Sequence, residues 1–171
     1  VVTTLIILVV SVLLATVVTF YAINVATTRM ESEDLKVTKQ HIWSNSTMAQ
    51  AAFVLTNVGG RDVLLDKITV RDQEEAWTDV YYWKGNAPSH DLNFSDVDLT
   101  GASVSITIEG SSEDFTRASD DIAVESGTTL VIYINSPDSI GVSDIGVTTR
   151  MTVYSANAMY SKEANVEFIP L

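Results

Sequence analysis

His41 and His90 are the only side chains of this sequence that titrate near neutrality in their ordinary state, and neither stands at a spacing that builds a metal site. Cysteine is absent, which removes thiol nucleophiles, thiolate metal ligands and a disulfide framework together, and leaves the redox compartment open. Neither a nucleophile elbow nor a phosphate loop occurs. General acid–base work needs titratable groups that converge, so these residues describe a chain that is not an enzyme and that takes no cofactor.

Two further patterns carry chemistry. Asp91, Asn93, Ser95, Asp96 and Asp98 crowd oxygen atoms into one stretch, as a hard cation such as calcium would require. The glycine of a calcium-binding hand is missing, however, and the twelfth position of such a loop is Ala102 where a bidentate glutamate belongs. The stretch reads as a solvated acidic loop without a metal. Asn45-Ser46-Thr47 and Asn93-Phe94-Ser95 fit the acceptor pattern for N-glycosylation, which makes Asn45 and Asn93 candidate glycan sites on an exported surface. Trp43, Trp77, Trp83, Tyr81 and Tyr82 suit either an adhesive patch or the packing of strands, and aromatics at strand positions favour packing.

The elements that must position these residues fall into two physical regimes. Val1 to Thr28 carries no charged side chain, whereas Arg29 to Leu171 holds all 10 basic and all 22 acidic residues. Arg29, Lys36 and Lys39 balance Glu31, Glu33 and Asp34, so the net charge of −12 belongs to the stretch from His41 onward. An acidic body of that kind repels nucleic acid and anionic membranes and stays soluble.

As a helix, the 28 uncharged residues extend roughly 42 Å, more than the roughly 30 Å of a hydrocarbon core. No Gly or Pro occurs before Gly59, so nothing breaks the helix. Valine, isoleucine and threonine are weak helix formers in water, but an apolar medium makes every unpaired backbone group costly and favours the helix. A secretory signal peptide would show a basic n-region and a small-residue cleavage site ahead of Arg29, and neither is present. Two readings remain: a permanent membrane anchor, or a helix that crosses the membrane first and is then buried among copies of itself. Thr3, Thr4, Ser11, Thr16, Thr19 and Asn24 can bond their own preceding turn or a neighbouring helix, and the first is the commoner behaviour. The helix is expected to finish between Glu31 and Gln40.

Beyond it, short β-like runs alternate with turn residues, giving about seven or eight strands and a sandwich. Leu35 to Trp43 is a candidate first strand; Ala51 to Asn57 and Asp62 to Arg71 flank Asn57-Val58-Gly59-Gly60, a hairpin signal. Val63, Leu65, Ile68 and Val70 do not share one period-two face, which predicts a bulge or a deeply buried stretch near Leu65. Trp77 to Trp83, Ala102 to Glu109, Thr128 to Asn135, Ile145 to Tyr154 and Met159 to Phe168 are further strands, while Lys84 to Gly101 and Gly110 to Asp121 read as polar loops. The fold class is α+β: an assembly helix over 1–36 followed by an immunoglobulin-like antiparallel β-sandwich over 37–171.

The run Val1-Val2-Thr3-Thr4-Leu5-Ile6-Ile7-Leu8-Val9-Val10, continued to Asn24 and followed directly by an acidic sandwich, resembles the archaellin and archaeal type IV pilin superfamily. Asn57-Val58-Gly59-Gly60 and Asp66-Lys67-Ile68-Thr69-Val70 are similar in style. The resemblance implies that a prepilin peptidase removes a basic leader, making Val1 the processed N-terminus, and that the apolar helices then form a filament core. Leu5, Ile6, Leu8, Val9, Val12, Leu13, Val17 and Phe20 would be core residues of that bundle. Bacterial type IV pilins carry a glutamate at the fifth mature position and a proline near the twenty-second; Leu5 and Ala22 stand there in this chain, which points to the archaeal branch and its unbroken helix.

Copies of the chain, the membrane before assembly, the peptidase and an assembly machinery are the implied partners. The expected function is a structural subunit of an extracellular filament, with a precursor in the cytoplasmic membrane. The single compact sandwich, without an added adhesive domain, favours an archaellum-like motility filament over an adhesion pilus. The alternative is a membrane-anchored β-sandwich binding module. Topology of a monomer would be held by basic residues after the span, and only Arg29 stands there beside three acids.

Overall fold

The computed structural model describes residues 1–30 and 32–169. Helix α1 runs over Val2–Met30 and is followed by strands β1 (Leu35–Ser44), β2 (Ala49–Asn57), β3 (Val63–Val70), β4 (Gln73–Glu74) and β5 (Val80–Gly85). Then come β6 (Ser103–Ile108), β7 (Ser111–Arg117), β8 (Ile122–Val124), β9 (Thr129–Asn135), β10 (Thr148–Ser155) and β11 (Met159–Phe168). The α+β expectation, a long apolar helix followed by an antiparallel sandwich, describes this order. The expected helix end began at Glu31, which lies outside the described residues, as do the last two residues of the expected 37–171 domain. Since β1 already begins at Leu35, the junction lies upstream of residue 36.

The strands form one hydrogen-bonded path, β4-β3-β10-β11-β1-β2-β9-β5-β7-β6, with β8 attached to β3. The path folds into two layers at β11. Residues 159–165 of β11 pair antiparallel with β10, and Val166 to Phe168 pair parallel with Ile42 to Ser44 of β1, the one parallel ladder among the described strands. Between the layers lies a core to which β2 gives Ala51, Phe53 and Leu55, β9 gives Leu130, Ile132 and Ile134, β3 gives Val63, Leu65, Ile68 and Val70, and β10 gives Met151 and Val153.

β2 and β9 are buried along both faces. Their second face packs Val54, Val131 and Tyr133 against Ile106 and Phe115 of the β6–β7 hairpin and against Leu92 and Leu99 of the segment between β5 and β6. That segment was expected to be a polar surface loop. It carries the acidic residues, yet its leucines cover a sheet face, so the sandwich gains a partial third layer. Burial on both faces is why Ala51 to Leu55 and Leu130 to Ile134 read as unbroken apolar runs.

Three expectations need correction. Asn57-Val58-Gly59-Gly60 is not a hairpin turn: β2 pairs with β1 and β9, whereas β3 pairs with β4, β8 and β10, so the turn carries the chain across from one layer to the other. Gly110 to Asp121 is not a loop, because Ser111–Arg117 is strand β7, joined to β6 through Glu109 and Gly110 at φ 52° and 84°, the doubly positive pair of a tight hairpin turn. The described strands number eleven, where seven or eight were expected. The bulge near Leu65 is present: Tyr154 pairs with Lys67 and Ser155 with Leu65, leaving Asp66 as the extra residue that moves the apolar face from odd to even positions.

Candidate functional site

Every residue from Val1 to Thr28 is exposed, so no face of the helix packs on the sandwich. The expected bundle residues Leu5, Ile6, Leu8, Val9, Val12, Leu13, Val17 and Phe20 are each between 46% and 66% exposed, values that mark no preferred side. Val1 is fully open. The span Val2–Thr28 is long and apolar enough to cross a membrane.

The hydroxyls of this helix turn back on their own backbone. Ser11 donates to the Ile7 carbonyl at 2.7 Å, Thr16 to Val12 at 2.8 Å, Thr19 to Ala15 at 2.7 Å and Thr28 to Asn24 at 2.8 Å. Thr4 and Thr27 do likewise. Each bond satisfies a polar group within the helix itself, so apart from Thr3, Tyr21 and Asn24 the span from Val2 to Thr28 offers an apolar surface on every side. The side chain of Asn24, beside Tyr21, Val25 and Thr28, makes no hydrogen bond among the described residues.

The junction is tied to the sandwich at several points. Val58 and Gly59 donate their backbone N–H groups to the Asp34 carbonyl at 2.9 and 3.0 Å, and Gly60 donates to the Ser32 carbonyl at 3.0 Å. A Cβ on Gly59 would stand 2.5 Å from the Ser32 oxygen, so glycine is required here by the close approach of the junction. The Glu33 carboxylate accepts hydrogen bonds from the Ser155 hydroxyl, from Asn157 Nδ2 at 3.1 Å and from the Tyr160 hydroxyl at 3.5 Å. Burial, and after it the negative charge of Glu33, raises the Tyr160 phenol above its usual range, so it stays a neutral donor. None of this cluster was legible as a site, because Glu33 meets its partners across more than a hundred residues and entered the sequence reading only as a charge.

The two sequon asparagines lie in different environments. Asn45 is buried, and its Oδ1 accepts from Thr47 N, Thr47 Oγ1 and Met48 N, each at 2.9 Å, closing the β1–β2 connection. The Nδ2 that would carry a glycan is itself buried. Asn93 is exposed, in a segment held by Tyr133, whose hydroxyl donates to the Asn93 carbonyl at 2.8 Å, and by Gln50, whose Oε1 accepts from Ser95 N at 2.9 Å. A sugar on Asn93 would therefore project from a fixed backbone.

The histidines are separated, each with its own carboxylate. His41 Nδ1 lies 3.0 Å from Glu167 and its ring stacks on Trp43 at 5.3 Å. His90 Nδ1 lies 3.0 Å from Glu109, which also accepts from the Ser89 hydroxyl at 2.6 Å and the His90 backbone at 2.7 Å. The Ser89 hydroxyl first, then the His90 backbone N–H, hold the Glu109 carboxyl down to about 2. Among the described residues no group of three or more His, Asp or Glu side chains is arranged to hold a metal ion, and Asp91 to Asp98 is no exception.

Of the candidate aromatics, Trp43 and Tyr81 are buried and Trp77, Tyr82 and Trp83 half-buried; Trp43 meets Phe94 edge-on at 6.2 Å, and Phe115 meets Tyr133 edge-on at 5.5 Å. One acid is out of place. Glu75 is buried with Oε1 lacking a hydrogen-bond partner, and burial above all, followed by the charges of Asp138 and Asp79, raises its carboxyl to about 7 despite a backbone N–H from Asp138.

No protein-family model matches the chain, and no curated protein matches it.

Proposed function

We propose that this chain is a structural subunit of an extracellular helical filament of the archaellin and archaeal type IV pilin kind, polymerising through α1. The observation that carries the reading is the contrast between two parts of one molecule. The sandwich closes its own cores, whereas the 27-residue uncharged, strongly hydrophobic span Val2–Thr28 buries nothing within it. Covering such a helix at about 25 cal/mol per Å² is worth tens of kcal/mol before entropy costs, so water is excluded as its resting place.

A membrane provides one apolar surrounding, and identical helices repeated about an axis provide another. The largely apolar surface and the internally bonded hydroxyls suit both, which gives the helix a path from the bilayer into a bundle with few polar groups left to satisfy. The clamp at Glu33 and Gly59 holds residues 32–34, next in sequence after the helix and Glu31, against the sandwich, and this favours the bundle. A freely tethered binding module needs a loose stalk, while a filament needs each sandwich held in one orientation to its helix.

Electron cryo-microscopy of material sheared from the cell surface, with mass spectrometry of the subunit, tests the reading. Helical fibres built from this chain, with residues 1–28 in the central bundle, are the expected result. Recovery of the chain solely as a monomer in the membrane fraction would replace the filament with the anchored module.

A further inference from the structure

At the helix-proximal end of the sandwich, β1 and β11 come apart. They pair only from Ile42 and Val166 onward, and below that point Asp34, Leu35, Lys36, Val37, Val58 and Met159 to Lys162 enclose a cleft of about 410 Å³. Backbone polarity along β11 alternates. Val166 bonds toward the β10 side, donating to the Val147 carbonyl at 2.9 Å, while the Glu163 carbonyl takes Gln40 Nε2 from the β1 side at 3.1 Å. By that alternation Met159 and Ser161 turn their backbone N–H and C=O groups into the cleft, as an open strand edge does.

The side chains around this edge combine exposed apolar groups with basic ones. Val58 and Met159 are 54% and 71% exposed, and Lys36 and Lys162 stand out beside them. Asp34 also lines the cleft, so its lining is positive by one charge on a body whose net charge is −12. Among the described residues neither lysine belongs to an ion pair.

The complementary feature lies at the other end of the same sandwich. Asp96, Val97 and Asp98 sit in a segment with neither helix nor strand, beside Met48, Ala49, Asn135 and Ser136, past the far end of β1. Ten residues of β1 put that end about 30 Å from the cleft. Val97 is 41% exposed between two exposed aspartates. An acid–valine–acid triplet at one pole thus matches a lysine–apolar–lysine cleft at the other.

We propose that the cleft is an interface between copies of this chain: Lys36 and Lys162 receive Asp96 and Asp98 of the next copy, and Val97 of that copy lies against Val58 and Met159. The contact joins unlike poles, so it is heterologous and does not close on itself, and it propagates along an axis. It rests on the filament reading, and adds to the helix bundle a second, outer contact between sandwiches that fixes which sandwich follows which.

Because the chain has no native cysteine, the double variant Met159→Cys, Val97→Cys tests the contact directly. Oxidised filaments of that variant should give a ladder of dimers and higher multimers on a non-reducing gel, and each single variant should run as a monomer. Charge exchange supplies the second arm. Lys36→Glu with Lys162→Glu should lose filaments, and adding Asp96→Lys with Asp98→Lys should restore them. Filaments that form without the ladder, or a reversed base that polymerises normally, overturn the interface and leave the filament standing. A chain that yields no filament even unmodified overturns both.

Discussion

Glu33 and Asn157, separated by 124 residues of sequence, meet where the helix joins the sandwich, with Asn157 Nδ2 donating to Glu33 Oε2 at 3.1 Å. The same carboxylate receives the Ser155 and Tyr160 hydroxyls, so one side chain gathers both sides of the β10–β11 turn onto the junction. Hydrogen bonds to a charged acceptor are worth more than neutral ones, although partial exposure reduces them.

Glu33→Ala should therefore destabilise the sandwich by about 1–2 kcal/mol and free the junction. Denaturation of the full chain in detergent, followed by the fluorescence of its 3 tryptophans, all of them in the sandwich, measures the first effect. Greater disorder of the sandwiches around an unchanged helical core would show the second. An unchanged transition would mean that the cluster contributes nothing to stability.

Glu75 sets the pH dependence. Its carboxyl is raised from 4.5 to about 7 by burial and by Asp138 and Asp79, so the folded state holds a proton that the unfolded chain releases. The contribution is fully present below pH 4.5 and is lost as the pH rises through 7, on the order of 1–2 kcal/mol after allowance for solvent screening. Glu75→Gln should be more stable than the parent above pH 7 and similar to it below pH 5. Transition midpoints of the two proteins against pH check this. Glu109 runs the opposite way: the contribution of its depressed carboxyl is present above its ordinary value of 4.5 and is lost as the pH falls to about 2.

Asn45 and Asn93 should respond differently to substitution. Asn45→Ala removes an acceptor used by three donors and should cost about 1–2 kcal/mol, with no loss of glycan mass beyond the difference between the two side chains. Asn93→Gln should leave stability unaltered and lower the mass by one glycan, which intact-mass measurement of exported protein reads. A parent mass equal to that of the bare polypeptide would remove both sites.

The strands that sequence reading located best are those with most at stake in burial. Leu130 to Ile134 and Ala51 to Leu55 are apolar without interruption because both faces are covered, and the phase change between Leu65 and Ile68 reveals a bulge because each face has a different fate. β7 was missed for the converse reason: Ser111 to Arg117 buries only Phe115, so no alternation marks it. The doubly positive turn at Glu109 and Gly110 was its available signal. Asn57 to Gly60 misled because turn chemistry reports a reversal of the chain without naming the partner strand. Asn57 Nδ2 bonds the Arg61 and Val124 carbonyls at 2.8 and 3.0 Å, and Gly59 makes room for the junction. The helix was plain from composition; the clamp and the cleft at its foot depend on contacts between residues far apart in sequence, which no local pattern encodes.

Leu8→Asp separates assembly from folding. Leu8 is 64% exposed on a helix whose residues 1–28 are all exposed, so an aspartate there leaves the cores between the layers untouched. In a dry bundle the same carboxylate has no partner, and an unpaired buried charge costs several kcal/mol or forces protonation. Because every copy carries the change, the penalty repeats at each step of polymerisation. Filaments should be lost while the tryptophan-detected unfolding transition of the sandwich stays where it was. Normal filaments from this variant would mean that Leu8 lies outside the packed core, and would direct the search for the subunit contact to the sandwich poles.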